Sequence, residues 1–333
     1  MNSIPLISII MPVYNEERWL SQSIPSILNQ TCEDFEFIIL NDASTDNSDR
    51  IIKNYTTMDS RIRTVNNPDN YGLIKTLNRG VDLAGGKYIA RMDSDDISFP
   101  DRLEKQLNFM EVNPEIHLVG TGREVIDEDG EILSKTRRSF MSPTMVKWCL
   151  MFKNVFSHGS IFCRNQLLKR NKYAAWAVNG EDYELWVRIN NQYQFARLPD
   201  ILYKRRTHAN SISNNNKTSI CKIGYRISRR QMRDILGENI DQDIVGYLTN
   251  CKLKNNYKLL PLVRSCLLLR RIENRFVEKN RMSRDEEKRI RSWTNRHGLK
   301  IIRNTIFSII SHGRKTWKRA DGEPNAKYLR NVE

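Results

Sequence analysis

The chain of 333 residues contains no run of the ~20 apolar residues that a membrane-spanning helix requires. Its six cysteines (Cys32, Cys149, Cys163, Cys221, Cys251 and Cys266) are scattered, without the short paired spacings that build zinc sites or redox pairs. They read as free thiols in a reducing compartment. The opening residues MNSIPLISIIMP do not read as a secretory signal, because no Lys or Arg precedes the apolar stretch and Pro12 ends it. The expected location is the cytoplasm. Excess positive charge is missing from the first two-thirds of the chain. Of the formal net charge of +15, residues 217 to 333 supply +16, with 28 Lys and Arg against 12 Asp and Glu, leaving residues 1 to 216 at −1. An acidic partner therefore concerns the C-terminal third alone.

The apolar content of 39% can supply a sizeable core. Leu6 to Met11 is a short β-branched run, Phe35 to Leu40 another, and between them Leu20, Ile24, Ile27 and Leu28 recur at helical spacing. The alternation predicts helices near 45–55, 73–83 and 102–110, and strands near 61–65, 88–92 and 117–120. Such a pattern argues for an α/β domain with a mainly parallel sheet covered on both faces. Ligands of such sheets sit outside the carboxyl ends of the strands. The unusual chemistry lies in those loops: Pro12-Val-Tyr-Asn-Glu16, Asn41-Asp-Ala-Ser-Thr-Asp46, and Asp93-Ser-Asp95-Asp96.

Crowded carboxylates repel unless a cation or hydrogen-bond donors sit among them. Strand alternation turns Asp93 and Asp95 one way and Ser94 the other, and a divalent metal is the simplest relief. A plainer reading makes these acids turn or cap residues, with Asp96 to Pro100 opening a helix and Asp42 serving a turn.

MPVYNEE, NDASTDNS, NYGLIKTLN, GGKYIARMDSDDISFPDRLEKQ and GEDYELWVRI, in that order and spacing, resemble the family 2 glycosyltransferases of GT-A nucleotide-sugar-binding fold. The similarity runs over about residues 5 to 215. It implies an inverting transferase that uses a nucleotide-diphosphate sugar, UDP-linked by family preference, and a glycan or lipid-linked acceptor. By that analogy Asp95 binds Mn²⁺ or Mg²⁺, Asp93 binds the ribose or completes the metal shell, and Asp42 binds the base. Hard oxygen ligands suit those metals. Pro12, Tyr14 and Glu16 would line the nucleotide pocket, with the Asn70-Tyr-Gly72 loop close beneath. Many relatives have an Arg just before the position of Asn78, where this chain has Leu77; Lys75 is the substitute, unless it is a solvated helix-face lysine.

In Gly180-Glu-Asp-Tyr-Glu-Leu-Trp186 the family motif assigns the general base to Asp182, with Glu181 as the fallback; both acids also suit the start of a helix. His208, in Arg205-Arg-Thr-His208-Ala-Asn-Ser211, matches a family position that completes the metal shell. His158 matches one near the acceptor. A lone histidine near a domain end is more often an ordinary one, and for His158 a satisfied core or loop histidine is an equal reading.

Past Ser213 helical patterns dominate, predicting a basic helical region over 216–333 after a catalytic domain of 1–215. Leu259, Leu260, Val263, Leu267 and Leu268 recur among Lys258, Arg264, Arg270 and Arg271, and LKIIRNTIFSIISHGRKTWKR carries Trp317 at a basic end. Residues 250–320 suit either an anionic membrane surface or packing within the protein. Two competing readings remain at this stage. Asp93-Ser-Asp95-Asp96-Ile97 approximates the haloacid-dehalogenase phosphatase motif, although that motif normally lies on the first strand. Nucleic-acid binding through the basic tail ranks third and is not expected, since no reader motif or stacking platform accompanies the charge.

Overall fold

The computed structural model describes residues 4–136, 139–209, 211, 216–249 and 259–320. Asn210, Ser213, Cys251 and Lys258, together with the side chains of Leu259 and Trp317, lie outside the described residues. Two compact units divide the chain, Met1–Gln231 and Met232–Glu333.

The first unit is built on one nine-stranded sheet of order β3-β2-β1-β4-β8-β6-β9-β5, with β7 paired to β6. Strands β1 (Ile7–Val13), β2 (Phe35–Asn41), β3 (Ile62–Asn66) and β4 (Tyr88–Arg91) are mutually parallel. All seven residues of β1 are buried, as a central strand with both faces covered requires. Helices α1 (Leu20–Leu28), α2 (Ser48–Met58), α3 (Leu73–Leu83) and α4 (Arg102–Val112) make the crossovers. Gly72 fixes the start of α3 with φ of 76°, a conformation that favours glycine.

Beyond β4 the sheet is mixed. Strand β8 (Phe162–Arg164) runs antiparallel to β4 and to β6 (Ile116–Ile126), while β9 (Gln194–Arg206) is parallel to β6. The two-residue β5 (Ile97–Ser98) pairs with β9, and β7 (Ile132–Lys135) forms a hairpin with β6. Helices α5 (Pro143–Leu150), α6 (Asn165–Arg170) and α7 (Glu181–Ile189) follow in this half. Trp148 and Trp186 are its largest buried side chains.

Helix α8 (Lys217–Leu236) crosses the division between the units. The second unit packs α9 (Gln242–Thr249), α10 (Leu259–Lys279) and α11 (Arg284–Ala320) around Val245, Leu269, Ile272, Phe276 and Ile290. Among the described residues no helix is long and apolar enough to cross a membrane.

Candidate active site

The carboxyl ends of β1, β2 and β4 bring the three polar loops to one edge, as parallel pairing demands. The first two are stitched together. Asn15, at φ of 55°, accepts the Thr45 amide at 2.8 Å and donates its own amide to Ser44 Oγ at 3.0 Å. The Glu16 amide donates to Ser48 Oγ at 2.9 Å. Tyr14 is left half exposed at the strand end, whereas Pro12 is buried inside β1 opposite Leu40.

Asp42 is engaged by the third crossover. Its Oδ1 accepts from Asn67 Nδ2 at 2.6 Å and the Tyr71 amide at 2.9 Å, and its Oδ2 from the Gly72 amide at 2.9 Å. Asp42 thus holds the 70–72 loop, which Asn70 tightens by accepting the Gly72 amide at 3.0 Å. Lys75 is exposed, its ammonium 6.0 Å from the Tyr71 ring.

The acidic cluster departs from the expected geometry. Because β4 ends at Arg91, strand alternation does not reach the acids, and each is aimed by its own partner. Asp93 pairs with Arg91 and accepts from the Tyr203 hydroxyl at 3.2 Å. Asp95 meets His208 Nε2 at 3.1 Å. Asp96 does not cap a helix; Asp101 precedes α4, and Asp96 is buried, accepting the Tyr203 hydroxyl and the Arg206 amide. Burial, then the charges of Asp95 and Asp93, push its pKa well up. The same causes raise Glu16 to about 8, so Glu16 belongs to this acidic centre as well as to the first loop.

Arg206 clamps the turn from behind. Its Nε donates to the Asp95 carbonyl at 3.0 Å, Nη1 to the Asp127 carbonyl at 3.1 Å and Nη2 to Gln22 Oε1 at 2.7 Å, while its guanidinium lies 4.3 Å from the Trp19 ring centroid.

Next to this centre stands the start of α7. Glu181 is 7% exposed, with its carboxylate 3.7 Å from His158 Nδ1; His158 Nε2 meets the Tyr173 hydroxyl at 2.9 Å. Asp182 is part-buried and accepts from Asn154 Nδ2 at 2.6 Å and the Tyr183 amide at 2.7 Å. Burial raises both carboxyl pKa values, that of Asp182 being pulled back by His158. Burial, then Arg91, pushes His158 down to about 4. Arg91 is 3% exposed and lies within electrostatic reach of Asp93, Glu181 and Tyr173, joining the two centres.

Sequence reasoning passed over Arg91, Tyr203, Arg206, Tyr173 and Gly159. A cation inside the apolar run Lys87-Tyr-Ile-Ala-Arg-Met92 was a visible signal for Arg91. Gly159 touches the site so closely that a Cβ there would overlap the Tyr203 hydroxyl and lie 2.7 Å from Asp93 Oδ2. Nothing local marks Tyr203.

Acids and polar loops at the carboxyl edge of a mostly parallel sheet, with a second acidic group at a helix start beside them, are the arrangement of a GT-A fold. The chain belongs to glycosyl transferase family 2: the sequence model of that family matches residues 8–170, and Escherichia coli WbnJ, an O-antigen biosynthesis glycosyltransferase, is 35% identical over 210 residues, 62% of this chain and 81% of that protein. Solved structures agree in fold. S. aureus TarS 1–349 in complex with UDP-GlcNAc superposes with TM-score 0.58 at 15% identity, covering 92% of each chain. The Pyrobaculum calidifontis mannosyltransferase PcManGT, in complex with GDP-Man and Mn²⁺, gives TM-score 0.56 at 14% identity, covering 92% of this chain and 88% of that one. The protein is a glycosyltransferase, and the phosphatase reading of Asp93 is set aside; its carboxylate is already engaged by Arg91 and Tyr203.

Among the described residues no three His, Cys, Asp or Glu side chains form a metal cluster. Asp95 and His208 supply two donors, oxygen and imidazole nitrogen, that fit Mn²⁺, and Glu16, Asp93 and Asp96 crowd around them, where a cation would favour the ionised carboxylates over the protonated forms that burial and mutual repulsion otherwise promote.

Proposed function

We propose that the chain transfers a sugar from a nucleotide-diphosphate donor, a UDP-sugar by family preference, to a hydroxyl of a glycan or lipid-linked acceptor, with inversion. The observation that carries this reading is the adjacency of two acidic centres, Asp93 to Asp96 at the end of β4 and Glu181 to Asp182 at the start of α7, with Arg91 between them. One suits a diphosphate bound through a cation, the other an acceptor hydroxyl. Tyr14 and the 70–72 loop held by Asp42 would flank the base and ribose, an aromatic face suiting a base. Asp95 and His208 would hold Mn²⁺ or Mg²⁺, which supplies charge neutralisation to the leaving diphosphate when bound. Asp182 takes the proton of the acceptor hydroxyl as its oxygen bonds to the anomeric carbon. The nucleoside diphosphate departs from the opposite face with the bonding electrons. Burial makes Asp182 a better base than a solvated carboxylate.

Calorimetry with UDP and GDP, each with and without Mn²⁺, tests the donor half on native chain and Asp95→Asn. Mn²⁺-dependent binding of one nucleotide, lost in the variant, is expected. A folded native chain that binds neither nucleotide would sink the reading.

The second unit fits a role at the cytoplasmic face of an anionic membrane. Helix α10 exposes Leu260, Val263 and Leu267 beside exposed Arg264 and Arg271, a mixed apolar and basic face that complements acidic lipid headgroups. Sedimentation with anionic and with zwitterionic liposomes tests it. Binding confined to anionic vesicles and reduced by Leu260→Ser with Leu267→Ser is expected; equal behaviour of variant and native chain would remove the role.

A further inference from the structure

Arg123 on β6 and Arg205 on β9 take no part in the transfer step above. The parallel register of the two strands sets Arg123 against Tyr203 and Val125 against Arg205. Side chains alternate along a strand and agree in direction across a paired register, so Arg123, Tyr203 and Arg205 project from one face. It is the face on which the Tyr203 hydroxyl reaches Asp93 and Asp96. Arg123 donates Nη1 to Ser157 Oγ at 2.6 Å, one residue before His158, and its Nε is buried without an acceptor.

Neither arginine has a carboxylate of its own. Among the described residues Arg123 makes no ion pair, and the half-buried Arg205 guanidinium has neither an ion pair nor a hydrogen bond. Asp96, the acid within reach of Arg123, is taken up by Tyr203 and the Arg206 amide. Burial, then the charge of Arg205, lowers the Arg123 pKa, with Asp96 pulling the other way. Two partly desolvated cations on one face without a counter-ion are unfavourable until an anion joins them. The guanidinium fork matches phosphate oxygens in pairs, and Ser157, accepting from Arg123, keeps its own hydroxyl proton to donate.

We propose that Arg123 and Arg205, with the Ser157 hydroxyl, form a phosphate-binding subsite beside His158 that grips a phosphate or diphosphate group of a reactant. The inference rests on the transfer reading and names a chemical feature that one reactant must carry there. That group comes either from a phosphorylated acceptor, such as a lipid-linked glycan, or from the donor's own diphosphate.

Inorganic pyrophosphate titrated calorimetrically into the full chain is the probe, with Arg123→Gln, Arg205→Gln and, as a control for charge alone, Lys53→Gln on the exposed face of α2. At least about tenfold weaker binding is expected in each arginine variant and none in the control, the size of a lost charge-assisted hydrogen bond. Repeating the titration at saturating nucleotide and Mn²⁺ separates the sources. Retained pyrophosphate binding assigns the subsite to the acceptor, and displacement by nucleotide assigns it to the donor. No binding by the native chain, equal affinity in the folded arginine variants, or an equal loss in Lys53→Gln overturns the subsite. Nucleotide binding by the native chain then leaves the transfer reading standing. Arginine-dependent pyrophosphate binding without any nucleotide binding does the reverse.

Discussion

The Tyr203 hydroxyl on β9 donates to the buried Asp96 carboxylate, joining residues 107 positions apart at the floor of the acidic centre. The same hydroxyl reaches Asp93 at 3.2 Å. Tyr203→Phe keeps the ring's packing and removes the donor from both acids. Asp96 then depends on the Arg206 amide alone, and a buried group that loses a partner costs roughly 1–3 kcal/mol. Urea denaturation should show that loss, and Mn²⁺-dependent nucleotide binding should weaken with it. A variant as stable as the native chain would mean that the hydroxyl contributes no net energy there.

Gly159 is required for a different reason. Its backbone is not strained, but the space a Cβ would occupy belongs to the Tyr203 hydroxyl and Asp93. Gly159→Ala must displace one or both, at roughly the 1–3 kcal/mol typical of overpacking. Its activity should fall further than its stability predicts, because Asp93 moves with the clash. The check is kcat/KM beside the melting temperature, and a fall in melting temperature without loss of kcat/KM would count against this role.

Local pattern made much of the parallel half legible. The helical spacing from Leu73 to Leu83 corresponds to α3 at both ends, and the β-branched runs correspond to β1 and β2. These elements are written in nearest-neighbour periodicity, which a reader of sequence can see. The three-residue β8, inserted antiparallel between β4 and β6, has too few residues for any period. Asp96 looked like a cap because Asp is common there, yet its partners Tyr203 and Arg206 lie on a strand far along the chain. The acids were found by crowding; what aims each of them was not, since long-range pairing leaves no local trace.

His158 gives the fold a pH dependence of definite sign. Its folded-state pKa is pushed down to about 4 by burial and by Arg91, while an unfolded imidazole titrates near ~6.5. Between those values the unfolded chain binds more protons, so stability rises with pH. The contribution is complete above about 6.5 and is lost as pH falls toward 4, at most about 3 kcal/mol for a shift of this size. His158→Asn removes it. Urea midpoints of native chain and variant should converge or cross on acidification from pH 7 to pH 4; a constant difference across that range would show that His158 keeps an ordinary pKa in the folded protein.

Asp182 and Glu181 are neighbours at the start of α7, and their surroundings separate them. Glu181 is nearly enclosed and lies against His158, so it is poorly placed to meet a diffusing acceptor and well placed to hold the imidazole. Asp182 is only part-buried as a residue, and Asn154 and the Tyr183 amide steady its two oxygens. Asp182→Asn should therefore lower kcat by about 10²- to 10⁴-fold, the usual worth of a general base, with the donor KM little changed. Glu181→Gln should cost less in kcat and act partly through His158, shifting the pH profile of the residual rate. Steady-state kinetics of the two variants over pH decides between them. If Glu181→Gln abolishes turnover while Asp182→Asn retains it, the base is Glu181, and Asp182 with Asn154 becomes the support for the helix start.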